Sequence, residues 1–150
     1  MKDYAIIALG SNLGNSREII EEAIKKLAEL SSESLRRSSL WETDPVDCPP
    51  GSPPFVNAVV ALKPRPEETP EALLAKLQAL EKEFGRAPKK VHNEPRPLDL
   101  DLITFRQEVR NTPRLTLPHP RAHLRQFVVG PLREIDPAFA AQLTGSGALV

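Results

Sequence analysis

Four short apolar runs and two amphipathic stretches alternate along this chain in an order that few folds satisfy. Tyr4 to Leu9 reads as a buried strand that leaves into a tight loop, Gly10-Ser11-Asn12-Leu13-Gly14. A helix follows: Asn15 with Glu18 three residues on has the form of a capping box, and Ile19, Ile20, Ala23, Ile24, Leu27 and Leu30 recur on one face. Leu35 to Thr43 and Phe55 to Leu62 read as the second and third strands, joined by the proline-rich stretch from Asp44 to Pro54. A second helix has Thr69 as cap, Pro70 at its first position, Leu73, Leu74, Leu77, Leu80 and Phe84 inside, and Gly85 as terminator. Leu98 to Phe105 gives a fourth strand, and His119 to Glu134 a third helix with a basic face. Strand, helix, strand, strand, helix, strand is the order of a ferredoxin-like α/β (α+β) unit, an antiparallel sheet with flanking helices on one face. The crossovers then bring strands one and four together in the middle of the sheet, with the Gly10 loop near the last strand.

At 150 residues and 40% hydrophobic content, the chain supports one domain, 1–150, with a core of its own. Its net charge is zero, which gives no general pull towards nucleic acid or anionic lipid. The distribution is uneven, however. From Gly85 to Arg133 ten Lys or Arg face four Asp or Glu, a net of +6, and the remainder carries −6. One stretch is suited to anions. Cys48 is the single cysteine, so no intrachain disulfide forms. The N-terminal apolar run, Ala5 to Leu9, is too short for a signal segment or a membrane span, and a cytoplasmic location is expected.

The sequence Leu98-Asp99-Leu100-Asp101-Leu102 concentrates the chemistry. Side chains alternate along a strand, so both carboxylates project to one side, with their α-carbons about 7 Å apart. Such a pair suits Mg²⁺, which takes one or two carboxylates and completes its octahedron with water and phosphate oxygens. A solvated strand face with the leucines inward fits the same five letters. Around them lie Arg86, Lys89, Lys90, Arg96, Arg114, Arg121 and Arg125, with His119 between two prolines. Carboxylates for a divalent ion beside forked guanidinium groups are what a polyphosphate needs, because charge on several oxygens must be met at once. A glycine cradle of the G-x-x-x-x-G-K-[ST] type is missing, so side chains and metal would hold the phosphates. Phe55 and Asn57 share a strand face, an aromatic plate beside a carboxamide, and Phe127 offers a second plate; both rings also fit a plain core role.

These pieces together resemble the 6-hydroxymethyl-7,8-dihydropterin pyrophosphokinase family of folate biosynthesis. The resemblance runs from Ile7 to about Pro137 and rests on Gly10-Ser11-Asn12-Leu13-Gly14, Thr43-Asp44-Pro45-Val46 and Phe55-Val56-Asn57-Ala58-Val59-Val60. Leu80-Glu81 with Gly85-Arg86, Pro95-Arg96-Pro97-Leu98-Asp99-Leu100-Asp101, Pro118-His119-Pro120-Arg121 and Arg125-Gln126-Phe127-Val128 complete it. It implies a ferredoxin-like domain, two Mg²⁺ ions, ATP as diphosphate donor and AMP as product. By this resemblance Asp99 and Asp101 hold the metals, and Arg86, Arg96 and Arg125 neutralise the migrating diphosphate, with His119, Arg114, Lys89 and Arg121 as lesser phosphate contacts. Thr43, Asp44, Val46, Phe55, Asn57 and Phe127 correspond to the pterin pocket. Gln78, Glu81, Leu102 and Thr116 correspond to nucleotide contacts. The stretches from Asp44 to Pro54 and from Arg86 to Pro97 correspond to loops that close over substrates. Pro88, Asn93-Glu94 and Trp41 depart from the residues many relatives carry there, an arginine, a tryptophan and glycine, and a tyrosine. The expected partners are the two small substrates, with no nucleic acid or membrane, and the chain is expected to be a monomer. A ferredoxin-like RNA-binding module and a catalytically silent nucleotide-binding regulator are the competing readings; only 5% aromatic residues and an acidic pair on the sheet weigh against the first.

Overall fold

The computed structural model describes residues 2–12, 15–43, 54–85, 97–120 and 125–144. In chain order the elements are β1 (Ala5–Ser11), α1 (Ser16–Leu30), β2 (Arg36–Arg37), β3 (Trp41–Thr43), β4 (Phe55–Leu62) and α2 (Pro70–Glu83). They continue with β5 (Asp99–Phe105), β6 (Arg110–Asn111), β7 (Thr116–Leu117), α3 (Gln126–Ile135) and α4 (Pro137–Thr144). The main sheet is antiparallel in the order β2-β4-β1-β5, with β3 also paired to β4, and β6 and β7 form a separate hairpin. This is the split arrangement expected from the element order, an α+β fold. Strands one and four of that scheme are neighbours, as β1 and β5, but β5 lies at the edge of the sheet rather than in its middle.

Local chemistry explains most of the elements and corrects some expectations. Thr69 Oγ1 accepts from the Ala72 amide at 3.1 Å, Pro70 opens α2, and Gly85 ends it with φ +93°, a conformation that side-chain-bearing residues rarely adopt. Asn15 precedes α1 but makes no side-chain cap, so the expected capping box does not form on its side. The expected strand from Leu35 to Thr43 is two strands. Ser38 interrupts it by donating its amide to the Val59 carbonyl at 2.9 Å while its hydroxyl accepts the Val59 amide at 2.9 Å. A short polar side chain thus stands in for a ladder partner. The third helix begins at Gln126, not at His119. His119, between Pro118 and Pro120, gives its amide to the Ile103 carbonyl at 2.8 Å, and residues 121–124 lie outside the described residues.

Helices cover both faces of the sheet, where only one had been expected. Ala5, Ile7, Leu9, Val56, Ala58, Val60, Leu62, Leu98, Leu100 and Leu102 point to α1 and α2, into the larger apolar cluster. Ile6, Ala8, Val59, Ala61 and Ile103 point the other way, onto Val128 and Leu132 of α3 and Ala140 of α4. Each fully buried large aliphatic side chain stabilises by about 1.5–3 kcal/mol relative to exposure. The open edge of β5 is closed as well: Glu81 of α2 accepts the Leu100 amide at 2.8 Å, and the His119 amide caps Ile103.

Candidate functional site

The alternation that sends Leu98, Leu100 and Leu102 towards α1 and α2 turns Asp99 and Asp101 to the face that carries α3. Both carboxylates therefore share a side of β5, half-buried, as their spacing requires. Register then assembles a row across four strands. Trp41 pairs with Asn57, Asn57 with Gly10, and Gly10 with Asp99. One step inward, Val59 pairs with Ala8 and Ala8 with Asp101. Gly10 thus forms a low floor between the carboxamide of Asn57 on one side and Asp99 on the other, next to Ala8, which is buried under α3. Asn57 to Asp99 is two strand spacings, about 10 Å. A Cβ on Gly10 would lie 3.2 Å from Asn57 Oδ1, so the floor has no room for a side chain without displacing that amide.

The wall at the Asn57 end is fixed. Asn57 is 4% exposed, and its Nδ2 donates to Thr43 Oγ1 at 3.0 Å, which leaves Oδ1 directed over Gly10. Phe55, paired with Thr43, shares the face of Asn57. At the other end Arg125, the residue before α3, brings Nη1 to 3.7 Å from Asp101 Oδ2, and its guanidinium stacks 5.8 Å from the centre of the Phe127 ring. The side chains of Arg125 and Asp101 are 34% and 38% exposed, so the pair is long and partly solvated. Such a pair is worth little in stability and is readily repartitioned when a cation meets the carboxylate and a phosphate meets the guanidinium.

Of the expected nucleotide contacts, Glu81 and His119 touch β5. Gln78 and Glu81 lie on α2, and Glu81 spends one carboxylate oxygen on Leu100. Arg114 is exposed at the tip of the β6–β7 turn, which Thr112 and Leu115 close by mutual backbone bonds, and Thr116 is exposed on β7. Leu102 is 4% exposed with its side chain in the core, so that side chain does not face a ligand. Asp44, Val46, Arg86, Lys89, Arg96 and Arg121 lie outside the described residues.

Reading the sequence alone missed Glu134. This last-turn residue of α3 accepts the Ser39 amide (2.8 Å), the Ser39 hydroxyl (2.8 Å) and the Trp41 indole N–H (2.6 Å), and the indole lies against Gly130. The Ser39 amide, then the indole, hold its carboxyl below the usual carboxylate range against a smaller opposing effect of burial. Nothing local in the sequence marks this link, which joins residues more than ninety positions apart.

Asp99 and Asp101 offer hard oxygen donors to a divalent cation, and among the described residues no three His, Cys, Asp or Glu side chains converge on a metal position. That donor set fits Mg²⁺, which needs one or two carboxylates when phosphate and water supply the rest, better than a metal held wholly by protein.

The model of the 7,8-dihydro-6-hydroxymethylpterin-pyrophosphokinase family matches residues 6–137. The chain is 40% identical over 132 residues to the 2-amino-4-hydroxy-6-hydroxymethyldihydropteridine pyrophosphokinase of Haemophilus influenzae, covering 87% of this chain and 80% of that protein. It is 38% identical over 136 residues to the enzyme of the same name from Bacillus subtilis, covering 90% and 79%. Identity to the folic acid synthesis protein fol1 of Pneumocystis carinii is 39% over 139 residues, 93% of this chain but only 18% of that longer protein. The chain belongs to the 7,8-dihydro-6-hydroxymethylpterin-pyrophosphokinase family.

Proposed function

We propose that this chain, acting as a single domain over 1–150, transfers diphosphate from ATP to the hydroxymethyl group of 6-hydroxymethyl-7,8-dihydropterin and releases AMP. The observation that carries the reading is the row Trp41, Asn57, Gly10, Asp99, with heterocycle-reading groups at one end and an acidic pair facing Arg125 at the other. Family membership supports ATP as co-substrate and folate biosynthesis as the setting.

Asn57, oriented by Thr43, reads the amide edge of the pterin, with Phe55 and Phe127 as the plates on which it stacks. Asp44 and Val46 complete that pocket. The Gly10 floor lets the flat ring lie close to the backbone and run towards Asp99. Asp99 and Asp101 hold magnesium, two ions in this reading. When bound, magnesium supplies neutralisation of the phosphate oxygens and activation of the hydroxymethyl oxygen for in-line attack on the β-phosphorus. Arg125, 3.7 Å from Asp101, would turn its fork to the migrating diphosphate, joined by Arg86 and Arg96. His119, Arg114, Lys89 and Arg121 meet the remaining phosphate oxygens. Gln78, Glu81, Thr116 and the backbone of Leu102 line the nucleoside side. Holding both substrates in this geometry is the larger part of the rate enhancement, since the transfer needs little covalent help from the protein.

An RNA-binding module is the weaker reading, because α3 and α4 cover the sheet face on which bases would stack. The same observation leaves a silent nucleotide-binding regulator open to the same assay. Incubation with ATP, Mg²⁺ and the pterin, with nucleotide products resolved by chromatography, is the test. Pterin-dependent AMP supports the proposal; ADP, or no turnover with tight RNA binding, rejects it. Among the described residues no helix is long and apolar enough to cross a membrane. A monomer in the cytoplasm, without nucleic acid or membrane partners, completes the proposal.

A further inference from the structure

The two ends of the site are built on separate pieces of chain. Thr43 and Asn57 belong to the β3–β4 pair, whereas Arg125 and Phe127 belong to the start of α3. Apolar packing of Val128 and Leu132 holds α3 to the sheet, but such packing is non-directional and leaves small slides and rotations of a ten-residue helix inexpensive. Directional bonds are needed to fix the helix in one place, and Glu134 supplies three of them to Ser39 and Trp41. Ser39 and Trp41 flank the entry to β3, whose last residue is Thr43.

We infer that Glu134 is a positioning residue that locks β3 to α3, so that the Thr43–Asn57 wall and the Arg125–Phe127 end keep one relative placement; this rests on the pyrophosphokinase reading above. Three features carry it. The bonds come from one carboxylate to three donors on a single short segment, a geometry that a slide of α3 breaks as a set. Trp41 reaches Glu134 only because Gly130 lacks a side chain, its ring filling the space that a Cβ would take at 2.4 Å. The helix is about 15 Å long, so anchoring its last turn and its middle determines where its first residue falls. The three donors favour the ionised form of Glu134 and hold its carboxyl below the usual carboxylate range.

The test compares wild type with Glu134→Ala, Glu134→Gln and Trp41→Phe, measuring AMP formation, the kcat and KM for each substrate, and melting temperature. Glu134→Ala lowers kcat at least about tenfold, by misplacing Arg125 and Phe127, which α3 carries, relative to the Thr43–Asn57 wall, while the protein stays folded at the assay temperature. Glu134→Gln restores part of the rate, since an amide oxygen still accepts from one or two donors, and Trp41→Phe shows a smaller loss. Rates unchanged in Glu134→Ala, or a loss that Gln does not relieve at all, overturn the inference. Trp41 is the sole tryptophan, so its emission reads the lock without turnover. Red-shifted, more quenchable emission in Glu134→Ala supports the lock, and identical emission overturns it. Wild type that makes no AMP while its emission responds to Glu134→Ala rejects the activity and not the lock.

Discussion

Replacing Gly130 with alanine adds one methyl group to the middle of α3, and helix propensity alone predicts a gain of about 1 kcal/mol. The packing around it reverses that sign. The new Cβ would stand 2.4, 2.6 and 3.1 Å from three carbons of the Trp41 ring, where carbon contacts prefer about 3.5–4.0 Å. The indole must retreat by about 1 Å, and overpacking of this kind costs about 1–3 kcal/mol. Retreat also adds about 1 Å to the 2.6 Å bond between Trp41 Nε1 and Glu134, which then exceeds hydrogen-bonding range and forfeits about 1 kcal/mol. The net destabilisation is about 2 kcal/mol, which for 150 residues lowers the melting temperature by about 4–8 °C. Circular dichroism melting measures this directly. Trp41→Leu in the Gly130→Ala background recovers part of the loss, and the double-mutant cycle gives a coupling of about 1–2 kcal/mol. An unchanged or higher melting temperature for Gly130→Ala refutes the packing of the ring on the glycine.

Asp99→Ala or Asp101→Ala reduces AMP formation by at least about 10²-fold while the fold keeps its melting temperature, since losing one carboxylate relieves repulsion with the other; near-normal rates at limiting Mg²⁺ would contradict the ligand assignment. Arg125→Ala slows the chemical step more than it raises KM for either substrate, which single-turnover kinetics separates from binding. Thr43→Val removes the acceptor that aims Asn57 and raises KM for the pterin several-fold with KM for ATP unchanged, as steady-state titration of each substrate shows. The folded pKa of Glu134 lies below its ordinary 4.5, so its contribution to stability is complete above that value and is lost as pH falls through the lower one. Acid titration of the Trp41 emission therefore shows a transition below pH 4.5 in wild type that is missing in Glu134→Gln.

Elements specified by their own residues were legible in the sequence. β4 and α2 begin and end where proline, threonine and glycine require. The cover on both faces was legible too, had β1 and β4 been read for it: apart from Asn57 they are nearly unbroken apolar runs, which an antiparallel sheet with one wet face does not carry. The short helix after α3 carried a signal as well, Asp136 before Pro137, and Asp136 Oδ1 does accept the Phe139 amide at 3.0 Å. The break at Ser38 was not legible, because a hydroxyl replaces a ladder bond only once β4 is alongside. In the site, period two sufficed to put Asp99 and Asp101 on one side. The place of Gly10 between Asn57 and Asp99 needed strand register, which no local pattern in this chain states.

The transverse alignment of Trp41, Asn57, Gly10 and Asp99 has a consequence for how this protein can change. A single-residue deletion inside β1 moves every later β1 side chain to the opposite side, into a layer packed around other residues. Ser11 would then stand between the carboxamide and the acids in place of Gly10. Insertions and deletions in β1 are thus filtered by packing and by the site at once, since the same register sets both.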